Sequence, residues 1–318
     1  MATLGESIVA TLFDQSDDIA DEILEHHPLS AVLKEKGLTR RFKGGYEIRK
    51  PVMYNATRVG GFYSHFESFD LDAVQDFDAF QFAIRQVYEP MSISGRDKRA
   101  NSDEEMLLDH VEAKMKASLA RLKNTVATSL RGDGTLFGGR EFDGIQKAIS
   151  TTPTSGTYGK IDRTTNTWAQ NATYSASDSF SVTSIQGDLT AAQMEVTRGS
   201  EMPDIGLMTA IPWQNLHKSL TAIQRLKPIS KAMAGFRALN WNGVDYGFDG
   251  GYGGAVIQTE SVRLINSNYV SLDLVRGADF KPLTPKMDSP VDQDAEFVVI
   301  IVEGNLCFSA PALQTVIS

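Results

Sequence analysis

The longest regular pattern of apolar positions spans residues 101–131 and predicts one uninterrupted helix of about eight turns. Ser102 and Glu105 form an S-x-x-E capping box at its start, and Gly132 follows its end. A helix of about 45 Å with a single apolar stripe needs a sheet or another long element along it, so we interpret it as the spine of its domain. The stripe that would form the helix core consists of Leu107, Val111, Met115, Leu119, Leu122 and Val126.

The pattern changes to period two after Thr39, which predicts a strand through residues 46–54. A glycine-containing turn at 55–61 and a second strand at 62–69 complete a predicted hairpin. An isolated two-stranded ribbon is marginal in water, so its aromatic side chains need a cover. That cover is either the rest of the same domain or a neighbouring subunit.

The remaining patterns predict shorter helices and strands without an internal repeat. We expect helices at 29–36, 189–198 and 212–226, and strands at 77–93, 205–211, 261–275 and 296–308. Residues 150–185 are rich in serine and threonine and predict loops pinned by Tyr158, Ile161, Trp168 and Phe180. The glycine-rich stretch 243–254 lacks the lysine of a phosphate-binding loop and the carboxylate spacing of a calcium loop, so we interpret it as a tight loop. Together these elements predict an α+β architecture.

The composition is that of an ordinary soluble globular protein, with 42% hydrophobic and 22% charged residues among 318. The longest apolar run, residues 297–302, is too short to cross a bilayer, and the first residues lack the pattern of a signal peptide. We therefore expect a protein that folds in a cytosol, where the single cysteine, Cys307, is a core residue rather than a nucleophile. The net charge of -9 argues against binding nucleic acid through its phosphates.

Residues with catalytic or metal-binding chemistry are sparse in this sequence. No nucleophile elbow with a partner histidine is present, and acidic pairs such as Glu201 with Asp204 or Asp245 with Asp249 are expected by chance among forty acidic residues. The histidines at 26–27 adjoin no further ligand at metal-binding spacing. We expect no enzyme activity, no cofactor and no metal site.

The order of these features resembles the major capsid proteins of tailed bacteriophages, which have the Hong Kong 97-type coat fold. The resemblance covers nearly the whole chain and rests on the hairpin, the strand that enters the long helix, and four further stretches. These are residues 131–135 (RGDGT), 142–145 (FDGI), 158–163 (YGKIDR) with Trp168, and 264–272 (LINSNYVSL). Each stretch alone is weak, whereas their order and spacing together are specific. Residues 168–171 depart from the family pattern, in which an asparagine lies nearer the tryptophan.

The resemblance implies a Hong Kong 97-like division of the chain. Residues 1–38 would be an N-terminal arm, 39–70 an extended hairpin loop, 71–136 a peripheral domain with the long spine helix, and 137–254 an axial domain. Residues 255–290 would return to the peripheral domain, and 291–318 would add C-terminal strands to the axial domain. The extended loop would lie over an adjacent subunit through Tyr46, Ile48, Tyr54, Phe62, Tyr63 and Phe66.

The same resemblance implies self-assembly as pentamers and hexamers into an icosahedral shell that encloses double-stranded DNA without sequence-specific binding. The shell would assemble in the host bacterial cytoplasm and become the virion capsid, with scaffolding, portal and decoration proteins as candidate partners and no membrane contact. The acidic balance would then let the genome slide during packaging. Two alternatives stay open: an encapsulin-like protein nanocompartment shell, and a monomeric α+β enzyme or binding module.

Two further expectations concern assembly. Because 38 residues precede the extended loop, we expect a separate scaffolding protein or assembly without one, rather than a large fused scaffolding domain. Some relatives cross-link covalently through a lysine on the extended loop. Lys43 and Lys50 lie there in this chain, and we expect both to be ordinary charged side chains.

Overall fold

Two sheets organise the chain, as a computed structural model shows. The structure describes residues 28–54, 62, 64–66, 76–96, 104–220, 238–249, 261–283 and 294–318, with the backbone alone for 104–112. Helices pack on both sheets, so the α+β prediction is confirmed. Within those ranges no helix combines the length and the apolar character that a bilayer-spanning segment needs.

The first sheet has four strands in the order β1, β12, β13, β4. Their ranges are Thr39–Phe42, Val270–Pro282, Ala295–Phe308 and Arg85–Ser94. β1 runs parallel to β12, and the other neighbours are antiparallel. Val298, Ile300 and Val302 alternate along β13 and are buried on one face of the sheet. A short helix, α1 (Pro28–Glu35), packs against β12 and buries its apolar residues.

The long helix predicted at 101–131 is present as α2 (Glu104–Arg131), 28 residues or roughly 42 Å in length. It packs against the face of the four-stranded sheet to which Val298, Ile300 and Val302 point. At the edge of this contact, Arg121 Nε donates a hydrogen bond to Glu89 Oε1 on β4 at 2.5 Å. Leu119, Leu122 and Val126 are buried and Met115 is half-buried, whereas the side chains of Leu107, Val111 and the predicted cap at Ser102 lie outside the described residues.

Short elements hold the segment that follows α2. They are a one-turn helix, α3 (Ile145–Ala148), and a small hairpin of β5 (Thr157–Tyr158) and β6 (Ile161–Asp162). The side chains predicted to pin the serine- and threonine-rich region do pack on the core: Tyr158, Ile161 and Phe180 are buried, and Trp168 is half-buried. This region is therefore ordered by a few large apolar residues rather than by long strands.

The second sheet has six strands in the order β7, β14, β11, β8, β10, β9. Their ranges are Ala172–Tyr174, Thr315–Ile317, Val262–Ile265, Ile205–Met208, Val244–Phe248 and Ala238–Trp241. Two helices, α4 (Ile185–Val196) and α5 (Ala210–Ser219), share a separate core cluster with it. α4 begins four residues before its predicted start at 189, and α5 begins two residues before its predicted start at 212.

A two-stranded ribbon of β2 (Glu47–Met53) and β3 (Phe77–Ala83) is antiparallel over seven residue pairs. The predicted partner strand at 62–69 is wrong, because its described residues, Phe62 and 64–66, lie in coil and turn. The true partner has a period-two pattern of its own, in which Phe80 and Phe82 face the core. β1, which was expected in the hairpin, pairs instead in the four-stranded sheet.

The glycine-rich stretch 243–254 was expected to be a loop, and its first part is a strand. Val244–Phe248 is β10, in which Val244 and Tyr246 are buried. Asn242 (φ 50°) and Gly243 (φ 83°) make the two-residue turn between β9 and β10. Two consecutive positive φ angles are the type I′ geometry that Asn-Gly favours in hairpins. Residues 250–254 lie outside the described part of the chain.

Candidate assembly surfaces

One face of the ribbon is anchored to its own chain. Ile48 is buried on this face, as are Phe80 and Phe82, which contact the ring of Tyr158 at centroid distances of 5.8 and 5.2 Å. Gly159 lies directly under Phe80, and its carbonyl oxygen accepts a hydrogen bond from the backbone of β3 at 2.9 Å. The base of the ribbon is therefore a fixed part of the core.

A buried ion pair fixes the same face of the ribbon. Lys50 Nζ lies 2.5 Å from Asp273 Oδ2 on β12, and both side chains are largely buried. Cys307 is buried nearby, as expected. The pKa of its thiol is raised well above the ordinary value, mainly by burial and to a lesser extent by the negative charge of Asp273. Lys50 therefore points into its own subunit, away from any cross-link to a neighbour. Lys43 is exposed.

The opposite face of the ribbon is exposed and becomes apolar toward its outer end. Met53 and Phe77 form a cross-strand pair on this face, and each is 66% exposed. Arg49 and Pro51 follow toward the base of the ribbon and are also exposed. Directly opposed side chains in an antiparallel pair lie about 5 Å apart, so Met53 and Phe77 form one continuous apolar patch.

The four-stranded sheet presents a second apolar surface on the face opposite α2. Along β4 and β13 the side chains that point to this face alternate with the buried side chains that point toward α2, and those of the two strands are paired in register. Tyr88 is 71% exposed, and Leu283, whose amide donates to the carbonyl oxygen of Val299 at 2.8 Å, is 60% exposed. On this outer sheet face the apolar residues are the exposed Tyr88, Pro90 and Leu283 and the half-buried Phe297, Val299 and Ile301. The polar Ser92 and Lys281 lie on the same face, paired with Phe297 and Ile301. A group of exposed apolar side chains of this kind is typical of a protein–protein contact.

The solved structures that are similar to this chain include capsids of tailed phages. No protein-family model matches the chain, and no curated protein matches it either. The chain is similar to the cyanophage A-1(L) capsid asymmetric unit, with a TM-score of 0.64 and 13% sequence identity over 91% of each chain. It is also similar to the capsid of Myoviridae phage XM1, with a TM-score of 0.58 and 9% identity over 90% of this chain and 91% of that chain. The chain has the Hong Kong 97-type capsid fold.

A structure described as a virus-like particle is also similar to this chain. A virus-like particle from Pyrococcus furiosus is similar to this chain, with a TM-score of 0.50 and 15% identity over 94% of this chain and 97% of that chain. The fold by itself therefore does not separate a phage capsid from another kind of protein shell.

The residues predicted to contact a neighbouring subunit have different surroundings in this structure. Ile48 lies in the core of its own subunit, because it occupies the inner face of the ribbon, and this removes it from the contact. Tyr54 stacks on Trp168 of its own chain at 5.0 Å. Tyr63 lies outside the described residues. The exposed group is Tyr46, Phe62 and Phe66, each at least 97% exposed, and its role in the contact stays a prediction.

Sequence reasoning missed the exposed pair Met53 and Phe77 and the whole outer sheet face. Phe77 was placed in a strand without a partner, so its position opposite Met53 was not visible. The run 297–302 is apolar at every position, which hides the alternation between its buried and half-exposed side chains. The exposed side chains of Tyr88 and Pro90 on β4, and of Leu283, show that this side of the sheet is uncovered in the single subunit.

The acidic pairs considered as catalytic groups are engaged by separate structural neighbours. Glu201 is bound by Asn266, Asp204 by Ser267, Asp245 by Asn240 and Asp249 by Arg131. His217 stacks on Trp213 at a centroid distance of 5.6 Å. Across the described ranges, no three metal-ligating side chains come together. The groups that a general acid–base pair would need are therefore used in packing and hydrogen bonding.

Proposed function

We propose that this protein is a major capsid protein that self-assembles into an icosahedral shell around the double-stranded DNA of a tailed bacteriophage. The observation that supports it most is the likeness to capsid subunits over about nine tenths of both chains. The likeness extends over the whole fold and is not confined to one motif. The proposed role is structural, not enzymatic, with pentamers and hexamers as the units of assembly.

The proposed organisation follows the two sheets. The four-stranded sheet with α2 is the peripheral domain, and the six-stranded sheet with α4 and α5 is the axial domain. The ribbon of β2 and β3 is the base of the extended loop, which makes the loop longer than the range 39–70 predicted from the sequence. The exposed residues at 46, 62 and 66 belong to the same extended loop.

Both apolar surfaces are proposed to contact further copies of this chain. Met53 and Phe77 on the ribbon, and Tyr88 and Leu283 on the outer sheet face, leave large apolar side chains in water in the single subunit. Burying one such side chain completely contributes about 1.5–3 kcal/mol. In a closed shell every subunit repeats these contacts, so small contributions per subunit add up to a stable particle.

The charge of the chain fits an enclosed genome that is not bound tightly. The net charge of -9 repels DNA phosphates, and a shell with this balance lets the genome move during packaging and release. Scaffolding, portal and decoration proteins are proposed partners during assembly in the bacterial cytoplasm. A basic inner surface in the assembled shell would contradict this part of the proposal.

A protein nanocompartment that encloses cargo other than a genome is the second candidate. It is supported by the likeness to the virus-like particle from Pyrococcus furiosus, at a lower TM-score than the two phage capsids. The two candidates differ in content, because a phage capsid holds DNA and a nanocompartment holds protein. Particle composition therefore separates them.

The first experiment is negative-stain electron microscopy with sedimentation velocity on the purified protein. Uniform polyhedral particles of tens of nanometres are expected from a shell protein. The ratio of absorbance at 260 and 280 nm, before and after nuclease treatment of particles from a host lysate, then reports enclosed DNA. A stable monomer of 34.8 kDa, even with a scaffolding protein supplied, would contradict both shell candidates.

A further inference from the structure

One edge of the four-stranded sheet has no further strand beside it in the described part of the chain. β4 pairs with β13 over ten residues, and its other edge is free. Gln86, Tyr88, Pro90 and Ser92 are exposed along this strand. A free edge of this length offers unpaired backbone N–H and C=O groups to a strand of a second molecule, and long free edges therefore favour aggregation.

The hydrogen bonds of the sheet show which backbone groups point to the free edge. Leu283 donates to the carbonyl oxygen of Val299 at 2.8 Å, so the backbone groups of Val299 point toward β12 and away from β4. The partner of Val299 on β4 is Pro90, whose nitrogen and carbonyl oxygen therefore point to the free edge. Gly95 donates to the carbonyl oxygen of Asp294 at 2.8 Å, on the β13 side, which fits the same alternation. The even-numbered residues of β4 thus carry the outward backbone groups.

Two residues reduce what this edge can offer to another strand. Pro90 has no N–H, so the outward donor in the middle of the strand is missing. The outward carbonyl oxygen of Ser92 is already engaged, because Lys114 Nζ on α2 donates to it at 3.2 Å. Gln86 and Tyr88 keep both backbone groups available within the described structure, and a pairing confined to two such residues is shorter than an ordinary strand pairing.

A second contact between α2 and β4 holds Lys114 in place. Arg121 Nε donates to Glu89 Oε1 at 2.5 Å. The seven residues from Lys114 to Arg121 span about 10.5 Å of helix. The three residues from Ser92 back to Glu89 span about 10 Å of strand, so the two contacts have matching spacing along the two elements. The lysine is therefore fixed at the edge by the packing of the long helix.

We propose that Pro90 and Lys114 close the free edge of β4 against a strand of a second copy of this chain. Edge-to-edge pairing of single subunits is thereby suppressed, while the exposed faces of the ribbon and of the sheet stay available for contact. The proposal rests on the single subunit and is independent of the proposed function.

Valine at position 90 tests the proposal because it restores the missing N–H. The matched control is Ser92→Val, which adds the same side chain to the same exposed face of β4 but adds no donor. When two copies pair edge to edge, each valine at position 90 contributes one hydrogen bond, and two hydrogen bonds strengthen association about 5- to 150-fold.

The readout is sedimentation velocity over a concentration series below the threshold of shell formation. Pro90→Val should form oligomers at concentrations at which the natural chain and Ser92→Val are monomers. A monomeric Pro90→Val would overturn the proposal. Equal association of the two variants would also overturn it, because the added apolar side chain alone would then explain the effect. Lys114→Met frees the Ser92 carbonyl oxygen while Pro90 stays, so it should also associate more strongly than the natural chain and provides a second test if Pro90→Val does not fold.

Hydrogen exchange measured by mass spectrometry locates the contact. In the natural monomer the amide hydrogens of Gln86 and Tyr88 should exchange fast, whereas those of Val87 and Glu89, which point to β13, should be protected. In the Pro90→Val oligomers the amide hydrogens of Gln86 and Tyr88 should become protected as well. Protection of these two in the natural monomer would show that the edge is already covered. Oligomers in which they still exchange fast would place the contact elsewhere, and either result would overturn the proposal.

Discussion

Replacing both Met53 and Phe77 with serine should impair assembly far more than folding. The two side chains face each other across the ribbon and are each two-thirds exposed, so the core loses little when they are removed. Surface substitutions of this kind usually change the free energy of unfolding by about 0.5 kcal/mol or less. The double variant should therefore unfold in urea at nearly the same midpoint as the natural chain.

The effect on assembly follows from the exposed area. Complete burial of a large apolar side chain contributes about 1.5–3 kcal/mol, and two thirds of that value is about 1–2 kcal/mol for each residue. If a neighbouring subunit covers both, each contact loses about 2–4 kcal/mol, which weakens it by a factor of about 30 to 700. The concentration at which shells appear in sedimentation and electron microscopy should rise accordingly.

A polar residue of the same ribbon face provides the control. Arg49→Ser shortens an exposed side chain of β2 without removing the apolar patch, and should leave the threshold for assembly within a few-fold of the natural value. Shells that form from the Met53→Ser and Phe77→Ser double variant at the natural threshold would refute a contact through this face. A large loss of subunit stability would refute the separation of folding from assembly.

Three further changes test other parts of the structure. Gly159→Ala should lower the free energy of unfolding in urea by about 2–4 kcal/mol, because the φ of this residue is +55° and the new Cβ would lie 2.8 Å from the ring of Phe80. Gly156→Ala is the control: its φ is +80° but the space around it is open, so the loss should be only about 1–2 kcal/mol. Burial raises the pKa of the Cys307 thiol, so native protein should resist a thiol reagent at pH 8. Above about pH 8.5 the thiol ionises in the unfolded chain but not in the folded one. The free energy of unfolding of the natural chain should therefore fall with rising pH when compared with that of the Cys307→Ala variant. Tyr88→Ser with Leu283→Ser should lower shell yield at unchanged subunit stability; normal yield would exclude the outer sheet face as a contact.

The long helix and the order of the main elements could be predicted because each depends on a local pattern. The apolar stripe of α2 repeats over many turns, so errors at single positions do not change the prediction. The turn at Asn242 and Gly243 also carries a local signal, the Asn-Gly pair. It was missed because the glycines after residue 246 suggested a continuous loop.

The pairing of the ribbon could not be predicted in the same way. Residues 62–69 and β3 both carry aromatic residues at strand spacing, and either could pair with β2 on local grounds. The choice depends on what the inner face meets. Phe80 and Phe82 reach the ring of Tyr158, which lies about 80 residues further along the chain, and no local pattern contains that contact.

The ribbon presents one face to its own subunit and leaves the other face exposed, where we propose that a neighbouring subunit binds. Successive side chains point to opposite faces, so the inner face can hold Ile48, Phe80 and the ion pair of Lys50 while the outer face presents Met53 and Phe77. Because the inner face is fixed by packing and charge, the outer face is held in one orientation before any partner arrives. A surface that is already ordered loses less conformational entropy on binding. A slip of one residue in register would exchange the two faces, so the contacts that stabilise the subunit also determine which side chains are available for assembly.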